Sequence, residues 1–228
     1  KKEVCVDTYF GADIEDPYRW LEDDLSLDTS NWVDSQNEVT FNYLKSIPYR
    51  DKLKSKLTSI WNYEKQTSPF TRGEYIYYYR NDGLQNQYVV YRKKDNLNSS
   101  EEVFLDPNNF SEDGTISLTG LYFSDDNNFL FISASNLTDG NELYMIDLRK
   151  NSNRIQTISD DPSTDDYVVD NVDDTFYIFT NYNAPNKRLV KSTLNNLSRE
   201  NWQDVIPESK NVFSVSSGSG YFFARYLV

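Results

Sequence analysis

Histidine is absent from the 228 residues. Its absence excludes a Ser-His-Asp or Cys-His site built within this chain and removes the usual nitrogen ligand for zinc. Cys5 is the single cysteine, so no internal disulfide can form. Basic residues are in deficit: 23 Lys and Arg stand against 36 Asp and Glu, a formal charge of −13. With no basic run to break that balance, neither nucleic acid nor an anionic membrane is expected as a partner. No apolar run approaches the roughly 20 residues of a membrane span. Lys1-Lys2-Glu3-Val4-Cys5-Val6-Asp7 lacks the apolar stretch that follows the basic pair of a signal peptide. A soluble chain is expected, cytoplasmic or periplasmic, with the compartment left open.

What the chain has is aromatic rings. They make up 15%, with 18 Tyr against one Met. Rings of this kind suit strands, where they pack on a pleated surface. The length allows one large or two small domains with a real core.

In chain order, residues 1–15 read as an extended arm, with a turn at Tyr9-Phe10-Gly11 before the first helix. Asp16 and Pro17 suit the cap and first position of a short helix, and Trp20 and Leu21 give it an apolar face. Arg19 sits among Glu15, Asp16, Glu22 and Asp23, where it can hold several carboxylates. A second helix is signalled by Asp28, Thr29 or Ser30 as cap, and Pro48 ends it. A third helix covers about 50–62. Trp20, Trp32, Leu53, Leu57, Ile60 and Trp61 lie on helical stripes that predict buried packing.

After Tyr63 the hydrophobic period changes from 3.6 to 2. Strands are predicted at 74–79, 87–92, 102–105, 118–123, 129–134, 142–148, 155–158, 167–171, 175–180, 188–192, 204–206, 211–216 and 221–227. Polar turns such as Asn81-Asp82-Gly83 separate them. Such regular strands predict a sandwich, barrel or propeller, and the recurring short meanders favour a propeller of three to four blades. No clean internal repeat is visible.

Three stretches carry a family resemblance: Asp16-Pro17-Tyr18-Arg19-Trp20-Leu21-Glu22-Asp23, then Gly83-Leu84-Gln85-Asn86-Gln87, then Val103-Phe104-Leu105-Asp106-Pro107-Asn108 with Asp113-Gly114-Thr115. Together they resemble the prolyl oligopeptidase family of serine peptidases over about the first 130 residues. Asn181 to Leu189 and Trp202 to Glu208 look like a later blade of the same family. The resemblance implies a mainly β fold with an N-terminal helical segment, residues 1–66, that packs on an α/β-hydrolase domain. It implies that residues 67–228 are part of a seven-bladed propeller, with several blades skipped between about Ala134 and Glu142. An open arc of this kind is expected to leave two apolar faces rich in Tyr and Phe, so that either the polypeptide is longer than these residues or a partner chain covers those faces.

The implied activity is cleavage of short peptides after proline, with the propeller gating access. The implied partners are those peptides and the hydrolase domain of the same protein. The chain contains no Gly-x-Ser-x-Gly elbow. Ser216-Ser217-Gly218-Ser219-Gly220 reads as a flexible turn. No catalytic residue, no cofactor-binding residue and no metal ligand is therefore assigned, and no cofactor is expected.

Other signals read more plainly. Asp160, Asp161, Asp165 and Asp166 lack the EF-hand pattern and predict a solvated acidic loop. Asn98, Asn109, Asn136 and Asn196 head glycosylation tripeptides of a kind common by chance. Tyr75, Tyr77, Tyr79 and Tyr91 offer an aromatic platform for sugars or peptides, or ordinary cross-strand packing. A stand-alone β-rich module that binds a peptide or glycan is the alternative to the peptidase reading, and a non-catalytic relic of the family is the third.

Overall fold

The computed structural model describes residues 1–96, 98–136, 139–150 and 153–227. The chain divides into two units, Lys1–Trp61 and Asn62–Val228.

In the first unit, β1 (Val6–Tyr9) and β2 (Ala12–Glu15) form an antiparallel hairpin. The expected extended arm is thus a paired one. Its two turn residues, Phe10 and Gly11, both take positive φ, 52° and 83°. A two-residue turn of that hand follows the twist of its strands, and Gly11 adopts it without steric cost. The expected helix at Pro17 is a single 3-10 turn, Arg19–Glu22. Asp16 accepts from the Tyr18 N–H at 3.2 Å. Arg19 gathers three carboxylates, those of Asp7, Asp16 and Glu22, so the turn is tied to β1.

Helix α1 (Leu27–Lys45) starts earlier than the expected cap. Ser26 is the N-cap, and its Oγ accepts from the Thr29 N–H at 3.2 Å. Helix α2 (Arg50–Trp61) follows. The expected burial of their stripes fails. Trp20 is only half-buried, while Trp32 is 41%, Leu53 53% and Trp61 63% exposed, with Leu57 and Ile60 likewise open. Only Thr29 is buried in α1, and no residue is buried in α2. Helical period marks the face that seeks cover and says nothing of what supplies it.

The second unit is four antiparallel sheets in chain order. The first holds β3 (Lys65–Gln66), β4 (Phe70–Arg72), β5 (Tyr75–Asn81), β6 (Val89–Lys94) and β7 (Glu102–Leu105). Strands β3 and β4 both pair with β5, and neither was read from the sequence. The second holds β8 (Ser117–Phe123), β9 (Phe129–Ser135), β10 (Glu142–Asp147) and β11 (Ile155–Ser159). The third holds β12 (Asp166–Val172), β13 (Thr175–Thr180), β14 (Arg188–Thr193) and β15 (Gln203–Ile206), and the last β16 (Phe213–Gly218) and β17 (Tyr221–Tyr226). Each is a meander with strands in sequence order, except that β3 and β4 share one edge of β5.

The sheets are held together by alternation. Successive side chains of a strand point to opposite faces. Phe129 and Phe131 of β9 join Leu143 and Met145 against Phe176, Ile178 and Val190 of the third sheet. Leu130 and Ile132, between and after them, join Ile146 against Tyr77, Val90, Phe104 and Leu105 of the first sheet. Phe179 and Leu189 of the third sheet turn the other way, onto Phe213 and Val215 of the fourth. Phe176 sits edge-on to Phe129 and Phe131, at 4.9 and 5.8 Å between ring centroids.

Ala134 and Glu142 are cross-strand partners of β9 and β10, so the place where blades are expected to be skipped lies within one sheet, at the β9–β10 hairpin. The tyrosines follow the cross-strand reading. Tyr75, Tyr77 and Tyr79 face the second sheet, whereas Tyr91 is opposite Tyr78 on the other face and stacks on it at 5.7 Å. The four tyrosines make no common platform. That other face is not bare either: Tyr78 is buried, and Arg80 lies 3.8 Å from the Tyr91 ring centre and pairs with Glu101. On β17, Tyr221, Phe223 and Tyr226 are exposed.

Ile178→Ala removes a fully buried side chain between two sheets and is expected to cost about 2–5 kcal/mol in urea unfolding. Val172→Ala, at an exposed strand end, should stay within about 0.5 kcal/mol. Equal, small effects would contradict this packing.

Candidate functional site

The polar chemistry of the β unit gathers at one end of its sheets. Antiparallel order puts the loops 82–88, 136–141 and 181–187 at the same end as the connectors 106–116, 160–165 and 207–212 that lead from sheet to sheet. Hydrogen bonds join these loops to the connectors in a repeated way. Gln87 Nε2 donates to the carbonyls of Pro107 and Ile116, at 3.1 and 2.9 Å, and its Oε1 accepts from the Leu118 N–H at 2.8 Å. Asn141 Nδ2 donates to the Asp166 carbonyl at 2.9 Å, and its Oδ1 accepts from the Asp166 N–H at 3.0 Å. Asn186 Nδ2 donates to the Ser209 carbonyl at 3.0 Å.

Each of these amides stands one or two residues before the third strand of its sheet. A side-chain amide offers a donor and an acceptor side by side, as a peptide group does, and so closes a backbone gap where two sheets part. Gly140, with φ +80°, lets the hairpin approach closely: a Cβ there would meet the carbonyl oxygens of Pro162 and Thr164. These three amides are the repeat that sequence reading missed. The signal was an Asn or Gln just before a strand, which composition hides in an Asn-rich chain.

Asp166, the first residue of β12, is buried with a full set of partners. Ser159, Thr164 and Thr180 donate hydroxyls to its carboxylate, and Arg199 Nη2 donates at 2.6 Å. Arg199 also pairs with Asp161 at 3.1 Å and lies over the rings of Tyr182 and Trp202. Asp165 pairs with Lys187 at 2.6 Å. The expected solvated acidic loop is therefore a structural knot, with Asp161 and Asp166 converging on Arg199 and Asp165 paired with Lys187. Among the described residues no cluster of His, Cys, Asp or Glu could hold a metal ion.

A cavity of 150 Å³ opens nearby between the connector 106–116 and the second sheet. Phe110, Ile116, Ile132 and Ala134 line it, with Glu142 and Tyr144 at one side. Tyr144 donates its phenol to Glu142. Burial, and then the Glu142 carboxylate, push that phenol well above its usual range. A phenol held there is not poised to move a proton near neutral pH.

The serines near the end of the chain carry no nucleophile chemistry. Gly218 closes β16 and Ser219-Gly220 is a two-residue hairpin turn with φ of 52° and 77°, an ordered element where a flexible turn was expected. Ser217 Oγ donates to the Val169 carbonyl at 3.1 Å. Of the glycosylation tripeptides, Asn109 lies in a 3-10 turn (Pro107–Asn109), and Leu137 and Thr138, which complete the Asn136 tripeptide, lie outside the described residues. No helix among the described residues is long and apolar enough to cross a membrane.

Antiparallel meanders in chain order, stacked through three apolar cores and clamped at their connectors, define a run of β-propeller blades. The family model for the prolyl oligopeptidase N-terminal β-propeller domain matches residues 1–129 and 116–228. The chain belongs to this family. The prolyl endopeptidase of Elizabethkingia meningoseptica is 34% identical over 330 residues, covering 100% of this chain and 47% of that protein. The prolyl endopeptidase of Elizabethkingia miricola is 33% identical over the same span. This chain thus spans about half the length of the curated relatives it matches. Among solved structures, a prolyl endopeptidase aligns with TM-score 0.56 at 19% identity, covering 99% of this chain and 49% of that one. Prolyl oligopeptidase B from Galerina marginata, bound to a 35mer substrate, aligns at 0.52 and 20%, with coverage of 99% and 49%. At that identity the likeness speaks for the fold.

Asn141→Ala removes both clamp bonds to Asp166 and leaves buried backbone groups unpaired, for an expected loss of about 1–3 kcal/mol. Urea unfolding of the β unit measures it, and an unchanged midpoint would contradict the clamp. Asp147 supplies a pH test. It is buried, and the Arg149 guanidinium, with Lys150 and the Arg149 N–H, holds its carboxyl below the usual range. A lowered folded pKa contributes stability in full above about pH 4 and loses it as pH falls through the folded value. Asp147→Asn should therefore flatten the fall in stability between about pH 5 and 2, and an unaltered acid limb would count against the pair.

Proposed function

We propose that this chain is the helical and propeller portion of a serine endopeptidase that cleaves short peptides on the carboxyl side of proline. The carrying observation is the conjunction of propeller sheets with relatives that are prolyl endopeptidases along the whole chain. In this reading the intact protein transfers the prolyl acyl group to a serine and then to water, on a hydrolase domain of the same protein. Residues 1–66 pack on that domain and residues 67–228 gate the approach of substrate. The exposed apolar residues of α1 and α2, among them Trp32, Val39, Leu53 and Leu57, support the first assignment, because faces of that size seek cover. With no histidine and no nucleophile elbow, the 228 residues themselves do no peptidase chemistry.

A chromogenic peptide with its leaving group after proline tests the reading. The intact protein is expected to hydrolyse it and to be silenced by a serine-directed phosphonylating reagent. The purified 228-residue polypeptide is expected to show no turnover. Turnover by that polypeptide surviving repurification, or an intact protein that leaves the peptide whole, would overturn the proposal.

A further inference from the structure

The second sheet lies where the two family matches meet. The match to residues 1–129 and the match to 116–228 share residues 116–129. That overlap holds all of β8, its turn and the first residue of β9. The relatives are longer over the stretch that this chain matches. An alignment over 330 residues that uses all 228 of this chain leaves at least 330 − 228 = 102 positions with no residue here. The blade repeat within this chain is 166 − 117 = 49 residues from the start of β8 to the start of β12, and 213 − 166 = 47 from β12 to β16. The missing length is two repeats to within a few residues.

We propose that the propeller of this chain lacks two whole blades that its relatives carry inside the same span. The excision joins equivalent points of two blades within residues 116–129, so that sheet two begins as one blade and continues as another two places further on. A cut between unequal points would break strand pairing or reverse the inward and outward faces of every residue after it. Neither has happened. β8 pairs with β9 from Ser117 opposite Ser135 to Phe123 opposite Leu130. β8 carries a register shift between Leu118 and Gly120, and β12, the first strand of the next sheet, carries one between Val168 and Asp170. The two strands thus hold the same place in their blades. The new neighbours also fit: Tyr77 and Phe104 of the first sheet bury against Ile132 and Ile146 of the second.

A ring two blades smaller encloses a narrower axial channel. Under the gating role proposed above, on which this consequence alone rests, peptides are rejected at a smaller size than by the relatives.

Peptide mapping of the protein from its natural source tests the junction. No Lys or Arg lies between Lys94 and Arg149, so trypsin releases residues 95–149 as one peptide that crosses it. Recovery of that peptide at the mass of the uninterrupted sequence is expected, and its replacement by peptides of a longer span would overturn the proposal. The structure of the intact protein should then show two blades fewer than that of the Elizabethkingia meningoseptica enzyme, and an equal count would also overturn it. Rates on a length series of proline-containing peptides, compared between the two enzymes, separate the two readings. A smaller ring with an earlier fall-off upholds both. A smaller ring with the same fall-off upholds the blade loss and contradicts gating.

Discussion

Burial on both faces of every middle strand is the constraint on which the β unit depends. A strand that alternates between two cores needs a neighbouring sheet on each side, and it cannot shift by one residue without exchanging them. β9 shows this most plainly: Phe129 and Phe131 belong to one core, Leu130 and Ile132 to the next, and all four are buried. Nothing apolar in β9 is free to face water, so the sheets stack in a chain-ordered row. The aromatic content follows, since rings fill the wedge between twisted sheets and meet edge-on, as Phe176 does against Phe129.

Stacking by itself does not fix where one sheet hands over to the next. That task falls to polar groups at one end. Gln87, Asn141 and Asn186 tie each connector to the hairpin beside it. The Asp166 carboxylate joins the last strand of the second sheet, through Ser159, to the first two of the third, and Arg199 closes over it from the loop between β14 and β15. A buried carboxylate with this many donors is costly to leave half satisfied, so the knot specifies one arrangement of the handover. On the proposal of blade loss made above, the repeated clamp also accounts for how whole blades can be removed. Each unit carries its own means of attachment.

Much of this was legible in the sequence. Every strand predicted after residue 73 is present, because period-two patterning and polar turns are local signals. The family resemblance rested on residues whose structural roles are now visible: Arg19 ties its turn to β1, and Gln87 is the first clamp. What failed depended on distant partners. The stripes of α1 and α2 read as core in the sequence, because a helix pattern cannot reveal whether its cover is in the same unit. Tyr91 was grouped with Tyr75, Tyr77 and Tyr79 because face assignment across two strands needs the register, which places it opposite Tyr78. The β1–β2 hairpin has short strands with no buried residue, so no hydrophobic period announced it.

Double-mutant cycles on the 228-residue chain test two-sided burial most directly. Phe129 and Phe176 touch across two sheets, whereas Leu130, adjacent in sequence to Phe129, faces the opposite core. Alanine substitutions at Phe129 and Phe176 are expected to couple by about 0.5–1.5 kcal/mol in urea unfolding. Those at Leu130 and Phe176 should add to within about 0.5 kcal/mol. Strong coupling of Leu130 with Phe176, or none between the two rings, would contradict the alternation on which the fold is argued to stand.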